Sequence, residues 1–99
     1  MVFIHVTVTV KPTQQTQFET NLASIVQEAK EQDGCHHYAW YRIPNDAHTY
    51  VVYGEFEDRH AFDVYKKSHV VKRIGTELLP LLTRKPTFKH VDGEIFEQV

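Results

Sequence analysis

The spacing of apolar residues changes repeatedly along this chain, and the order of those changes most constrains its fold. Every second residue from position 4 to position 10 is Ile or Val, which is typical of a β-strand with one buried face. A helical spacing follows, in Phe18, Leu22, Ile25, Val26 and Ala29. We expect Thr16 and Glu19 to form a capping box for this helix and Gly34 to close it in the left-handed conformation.

Turn and capping residues divide the rest of the chain into further elements. The patterns predict strands over residues 35–43, 49–57 and 87–91, and helices over residues 59–67 and 71–82. Asp58 is the expected N-cap of the second helix, residues 44–48 have turn chemistry, and Pro80 kinks or ends the third helix. This order predicts an α+β fold of the ferredoxin-like, split β-α-β kind. Its four-stranded antiparallel sheet carries the helices on one face.

The first strand also predicts how the sheet is oriented. Ile4, Val6 and Val8 should pack on the helices, so His5, Thr7 and Thr9 should lie on the opposite, uncovered face. A bare, half-apolar sheet face is an interaction surface. The 99 residues form one expected domain, and so small a chain benefits from burial by association. We therefore expect a homodimer with sheets facing each other, aided by the apolar tail at Ile95 and Phe96.

Composition excludes several classes of protein. The formal net charge is -2, from 11 basic and 13 acidic residues, which argues against a nucleic-acid partner. The single cysteine, Cys35, excludes an internal disulfide and fits a cytoplasmic location. The N-terminus has no charged leader before an apolar run, and no apolar run approaches the ~20 residues of a membrane span. We therefore expect neither a signal peptide nor a membrane partner.

No motif for a metal or a nucleotide cofactor is present. Seven histidines occur, but none has metal-ligand spacing, and His36 and His37 are neighbours that should point to opposite faces of a strand. A Gly-x-Ser-x-Gly motif and a glycine-rich phosphate loop are both absent. Cys35 fits a small buried residue better than a nucleophile. We therefore predict no metal and no cofactor.

Aromatic residues on two strands and one helix suggest a ligand cavity. Alternation places His36, Tyr38, Trp40 and Arg42 on one face of the second strand. The third strand adds Phe56, and the second helix adds Phe62 and Tyr65. These residues could line an apolar pocket or form an ordinary core, and the sequence leaves both interpretations open. Gly54, inside a strand, suggests that the pocket wall opens beside Phe56.

The order and spacing of several short segments resemble the antibiotic biosynthesis monooxygenase domain family. These segments are Val10-Lys11-Pro12, Gly34-Cys35, residues 53–62, and Ser68-His69, and the resemblance extends over nearly the whole chain. The resemblance implies small α+β domains that pair into a dimeric barrel. Activities in the family include cofactor-independent oxidation of aromatic or quinol substrates, haem breakdown and processing of a phosphorylated signal sugar.

The resemblance also suggests site residues. His69 matches a family histidine and is the predicted catalytic base, expected at the edge of a pocket between the sheet and the second helix. Tyr65, the second predicted catalytic residue, stands where the family has another histidine. Tyr65 and His36 are expected to hold substrate oxygens. The remaining predicted substrate-binding residues are Tyr38, Trp40, Phe56 and Phe62. Haem breakdown is not expected, because the asparagine, tryptophan and histidine of that branch are missing from the matching positions, the last two of which hold Tyr65 and Gly75.

Two classes of function remain open from the sequence. One is a cofactor-independent monooxygenase acting on a small aromatic, quinol or polyketide-like substrate, with a histidine near neutrality as base. The alternative is a non-catalytic, dimeric small-molecule-binding domain. An isomerase or degradation enzyme for a phosphorylated signal sugar is a further alternative, because proton abstraction could serve that reaction too.

Overall fold

The computed structural model describes residues 1–96, which form a four-stranded sheet with helices on one face. The main elements are β1 (Val2–Thr9), α1 (Gln15–Lys30), β2 (Cys35–Ile43), β3 (Asp46–Phe56), α2 (Arg59–Lys66), α3 (His69–Arg73) and β4 (Thr87–Asp92). Short 3-10 segments lie at Pro12–Gln14 and Leu79–Leu81, and a π-helical segment lies at Ile74–Leu78. The strand order is β2-β3-β1-β4, with every pair antiparallel. The predicted ferredoxin-like α+β fold is confirmed.

The orientation of the sheet follows the alternation in β1. Ile4, Val8 and Val10 are buried in the core beneath the helices, whereas His5 is exposed on the other face. Val6 is partly buried and also packs against the core. The predicted register of β1 is therefore confirmed.

Helix α1 buries the five residues predicted for it, but it does not begin as predicted. Gln14 precedes the helix without a capping side-chain hydrogen bond, so the expected capping box is wrong. Glu19 instead accepts hydrogen bonds from Tyr50 Oη and Arg42 Nη2, both at 2.6 Å. A carboxylate that accepts these two bonds is turned towards the sheet rather than back to the start of its own helix. These bonds tie α1 to β2 and β3.

Two turns position the strands around the helices. The backbone of Gly34 has φ 79°, and a Cβ there would lie 2.6 Å from Ala61 Cβ in α2. Glycine is needed both for this conformation and for the close approach. Because α1 ends at Lys30, Gly34 shapes the entry to β2 rather than closing the helix. The β2–β3 turn is tighter than predicted, since β3 already begins at Asp46 and Asn45 has φ 65°.

The predicted third helix is divided into three short segments. Helix α3 ends at Arg73, and Leu79 N–H then donates to Ile74 O, the longer hydrogen bond of a π-helix. Pro80 has no N–H and its ring opposes a regular α-helix, so a 3-10 turn follows. In residues 1–96, none of the helices has the length and apolar character needed to cross a membrane.

Candidate functional site

A cavity of about 230 Å³ lies between the helical face of the sheet and the segments that cover it. The sheet contributes Val6, Val8, Tyr38, Val52 and Phe88 to its wall. The helical side contributes Phe18, Leu22, Tyr65, Val71, Ile74, Leu78 and Leu79. Lys66, Leu82 and Pro86 complete the lining. The wall is almost entirely apolar, so the cavity suits a ligand group that needs no hydrogen bonds.

Two tyrosines of the wall are joined by a buried hydrogen bond. Tyr38 Oη lies 2.7 Å from Tyr65 Oη, and each residue is at least nine-tenths buried. Burial raises the pKa of Tyr38 to about 12, although the bond to Tyr65 partly opposes that effect. The pKa of Tyr65 is raised well above its usual value, mainly by burial and to a smaller extent by the neighbouring Tyr38. Both hydroxyls are therefore neutral near pH 7, and one donates its hydrogen to the other.

The absence of a side chain at Gly54 makes room for the Tyr38 ring of this pair. A Cβ on Gly54 would lie 3.1 Å from both Ile4 Cγ1 and Tyr38 Cδ2, which is tighter than ordinary packing. The expectation that Gly54 opens the wall beside Phe56 is therefore wrong. The space is occupied by the Tyr38 ring, which crosses over the glycine from the neighbouring strand.

Phe56 and Phe62 lie in the core and partly buried Trp40 packs against it, so these residues do not form the cavity wall. The Phe56 ring packs 4.7 Å from the Tyr65 ring and 5.7 Å from the Phe62 ring, centroid to centroid. Trp40 packs against Tyr50 at 5.6 Å. None of these three lines the cavity. The prediction that Trp40 or Phe56 forms its wall is wrong, because neighbouring aromatic rings pack against them. Of the residues predicted to contact the substrate, Tyr38 and Tyr65 border the cavity.

A bulge in β2 moves His36 away from Tyr38. Cys35 pairs with Phe56 while His37 pairs with Glu55, so His36 is an extra residue in the strand. Its ring is half-exposed, and Nε2 lies 3.7 Å from Glu57 Oε1 at the surface. The simple alternation that grouped His36 with Tyr38 is therefore broken, and His36 does not line the cavity.

His69 lies outside the cavity, on the surface where α3 meets α1. The side chain is 72% exposed, and Nδ1 lies 2.7 Å from Glu28 Oε2. This hydrogen bond, more than the nearby Arg73, lowers the pKa of Glu28. Because a carboxylate accepts, Nδ1 of His69 carries the hydrogen, and within residues 1–96 Nε2 has no hydrogen-bond partner. The expected position at the cavity edge is wrong.

The helical turn explains this outward direction. His69 begins α3 rather than ending α2, and the two residues after it take the inward positions. Val70 is fully buried and Val71 lines the cavity, so the face that includes His69 turns to solvent. The catalytic role of His69 remains a prediction.

The sequence reasoning missed the part of the wall that follows α2. The sequence pattern predicts only a helix for Val71, Ile74 and Leu78, although these residues cover the cavity. Their apolar spacing was the available signal, but it does not distinguish a cavity wall from core. In the described part of the chain, no three His, Cys, Asp or Glu side chains are grouped closely enough to hold a metal ion.

Comparison with known protein families shows which family the chain belongs to. Residues 1–76 match the sequence model of the family described as antibiotic biosynthesis monooxygenase. The chain belongs to this family. The resemblance seen in the sequence is thus confirmed, and most of the residues that line the cavity lie within the matched part of the chain. No curated protein matches the chain.

Solved structures share the fold of this antibiotic biosynthesis monooxygenase domain. Rv0793 from Mycobacterium tuberculosis is 18% identical over 98% of both chains, with a TM-score of 0.88. A conserved protein from Methanosarcina mazei Go1 is 19% identical over 94% of this chain and 92% of its own, with a TM-score of 0.88. A structure of an antibiotic biosynthesis monooxygenase is 17% identical over 96% and 100%, with a TM-score of 0.86. At such identities the likeness concerns the fold alone.

Proposed function

We propose that this chain is a cofactor-independent monooxygenase for a small aromatic, quinol or polyketide-like substrate. The observation that carries the proposal is the almost wholly apolar cavity in a domain of the antibiotic biosynthesis monooxygenase family. Flat, electron-rich substrates bury well in such a wall. Exclusion of water also favours contact between the bound substrate and molecular oxygen.

The proposed reaction balances without a bound redox group. Loss of a proton from the substrate gives an anion, and this anion supplies the electrons that reduce oxygen. For a methylene carbon between aromatic rings, one oxygen atom becomes the carbonyl oxygen of the product. The other oxygen atom leaves as water with the two hydrogens of the methylene group. The protein needs to bind the substrate, hold it near oxygen and assist the proton transfer.

The two predicted catalytic residues differ in their access to a cavity ligand. Tyr65 borders the cavity, but its raised pKa keeps the hydroxyl protonated, so it suits a hydrogen-bonding role rather than that of a base. His69 has a free Nε2 and an orienting carboxylate in Glu28, as a general base requires. It can act only on a substrate atom that reaches the surface between α1 and α3.

Non-catalytic binding of a small molecule is the second candidate function. The observation that favours it concerns the lining of the cavity: within residues 1–96, no His, Asp or Glu contributes to its wall. A ligand held entirely inside would meet no carboxylate or imidazole that could remove its proton.

We also propose that the domain works as a homodimer with the uncovered sheet faces packed together. Tyr41 is 52% exposed and Val91 is 60% exposed in the single chain. Both belong to the outer face, because Tyr41 pairs with Val51 and Val91 pairs with Phe3, whose neighbours in the strands point to the helices. Burial of these side chains between two sheets would remove apolar area from water.

Oxygen uptake tests the proposed reaction. The protein is incubated with a panel of quinols and hydroxyanthracenes, and oxygen consumption is followed with an electrode. We expect uptake with at least one flat, apolar substrate, and its loss in Val71→Trp, which fills the cavity from α3. Lys30→Gln, at the exposed end of α1, is the matched control and should retain uptake. Saturable binding without oxygen uptake would favour the non-catalytic function, and absence of binding would contradict both.

A further inference from the structure

The mouth of the cavity continues into a second depression that carries basic residues. Leu79 and Phe88, which line the cavity, are 43% and 50% exposed, so the cavity opens to solvent beside them. The second depression shares Leu79, Leu82 and Pro86 with the cavity. Its remaining lining is Thr83, Arg84 and Lys85. The cavity therefore adjoins a depression whose lining includes an arginine and a lysine.

These two cations are available to a ligand. Arg84 Nη2 donates to Thr9 Oγ1 at 3.0 Å, which ties the guanidinium to the end of β1. Within residues 1–96 its remaining N–H groups have no hydrogen-bond partner, so they can still donate to a ligand. Lys85 makes no hydrogen bond or ion pair with the rest of the described chain. Among residues 1–96, no Asp or Glu lines the cavity or the second depression. By contrast, Lys66 Nζ at the cavity wall already lies 3.2 Å from Asp63 Oδ1.

The positive charge at this mouth does not come from an overall basic composition. The chain carries a formal net charge of -2. Two adjacent basic residues without a carboxylate in the same depression are therefore a local feature. Both residues line the depression next to the cavity mouth, so a molecule whose apolar part fills the cavity could extend its head group towards them. A guanidinium group also matches carboxylates, sulfonates and phosphates in hydrogen-bonding geometry.

We infer that the cavity takes an amphiphilic anion, with its apolar part inside and its carboxylate, sulfonate or phosphate held by Arg84 and Lys85. This inference rests on the proposed function, because it describes the ligand of the same cavity. It narrows the substrate class to aromatic or aliphatic molecules that carry an acidic group at one end. Charge attraction at the mouth would also orient the molecule as it enters.

A matched pair of fluorescent probes tests the inference. The probes are 1-anilinonaphthalene-8-sulfonate and N-phenyl-1-naphthylamine, which share the same aromatic rings but differ in the sulfonate. We expect the wild-type protein to bind the sulfonate probe about tenfold more tightly, as charge-assisted hydrogen bonds of this kind provide. Added sodium chloride should reduce that preference by screening.

Variants then separate the head-group site from the cavity. The double variant Arg84→Gln/Lys85→Gln should lose most of the preference for the sulfonate while keeping its affinity for the neutral probe. Lys30→Gln, which removes a charge elsewhere on the surface, should retain the preference. Val71→Trp should lose both probes, which shows that they occupy the cavity rather than the uncovered sheet face; unchanged circular dichroism establishes that the variant is folded.

The possible failures are distinguishable. If the wild-type protein binds the neutral probe in the cavity and shows no preference for the sulfonate, or if the double variant retains that preference, the head-group site is refuted while the proposed function stands. If neither probe binds in a manner that Val71→Trp abolishes, the small-molecule site itself is refuted, and the proposed function fails with it.

Discussion

Replacement of Tyr65 by phenylalanine should destabilise the fold through the hydroxyl that remains on Tyr38. Tyr38 is 1% exposed, and the Tyr65 hydroxyl at 2.7 Å is its hydrogen-bond partner in the described chain. Tyr65→Phe keeps the ring and removes only that partner. A buried hydroxyl left unpaired costs about 1–3 kcal/mol. For a domain of this size, each kcal/mol corresponds to about 4–8 °C in melting temperature.

A double-mutant cycle isolates the pair. Tyr38→Phe should cost a similar amount, because it leaves the Tyr65 hydroxyl unpaired in turn. The double variant removes both hydroxyls, so it should cost clearly less than the sum of the two single changes. Urea unfolding followed by circular dichroism gives the free energy of unfolding of the wild-type protein and of each of the three variants. All four proteins are compared at one protein concentration, since association would add to apparent stability.

Two results would refute the reasoning. If Tyr65→Phe unfolds within about 0.5 kcal/mol of the wild-type protein, the Tyr38 hydroxyl finds another partner, such as water in the adjoining cavity. If the two single effects simply add in the double variant, the hydroxyls do not depend on each other for hydrogen bonding. The matched control is Tyr53→Phe, whose hydroxyl bonds the carboxylate of Glu55 on the other face of the sheet and should not couple to Tyr65.

Four further predictions concern pH, association and single residues. Burial raises the pKa of Tyr38 to about 12 in the folded chain, so its contribution to stability is complete below pH 10 and is lost between pH 10 and 12 as the unfolded chain ionises first. The free energy of unfolding in urea should therefore fall across that range, by up to about 1.4 kcal/mol per pH unit for this tyrosine, and the fall should be smaller in Tyr38→Phe. Light scattering at micromolar concentration should give about twice the 11.6 kDa chain mass, and a monomer would contradict the packing of sheet against sheet. His69→Ala should leave probe affinity unchanged because the ring lies outside the cavity, whereas a roughly hundredfold loss of turnover at that unchanged affinity would establish the predicted base. Gly34→Ala should lower stability by about 1–3 kcal/mol, because it combines a strained φ of 79° with a 2.6 Å approach to Ala61; a neutral effect would show that the turn relaxes freely.

The sequence by itself determined the order and orientation of the elements. The five apolar residues of α1 are the ones it buries, because a 3.6-residue period brings them to one face wherever the helix docks. Asp58 caps α2 by accepting from Ala61 N, an interaction that needs only three residues of local chain. The two-residue period of β1 likewise decided which face meets the helices. Such patterns are local, so they can be read before any long-range contact is known.

Only the tertiary structure decided which residues meet at the cavity. The extra residue in β2 directs His36 to the surface. The Tyr38 ring of the neighbouring strand packs over Gly54, where a larger residue would crowd it. His69 faces solvent because α3 starts there and directs Val70 and Val71 inward. Each outcome depends on strand register or on the start of a helix, because a shift of one residue reverses side-chain direction in a strand and rotates it by about 100° in a helix. Periodicity predicts that a face exists, but packing against distant segments decides whether that face becomes core, cavity wall or surface.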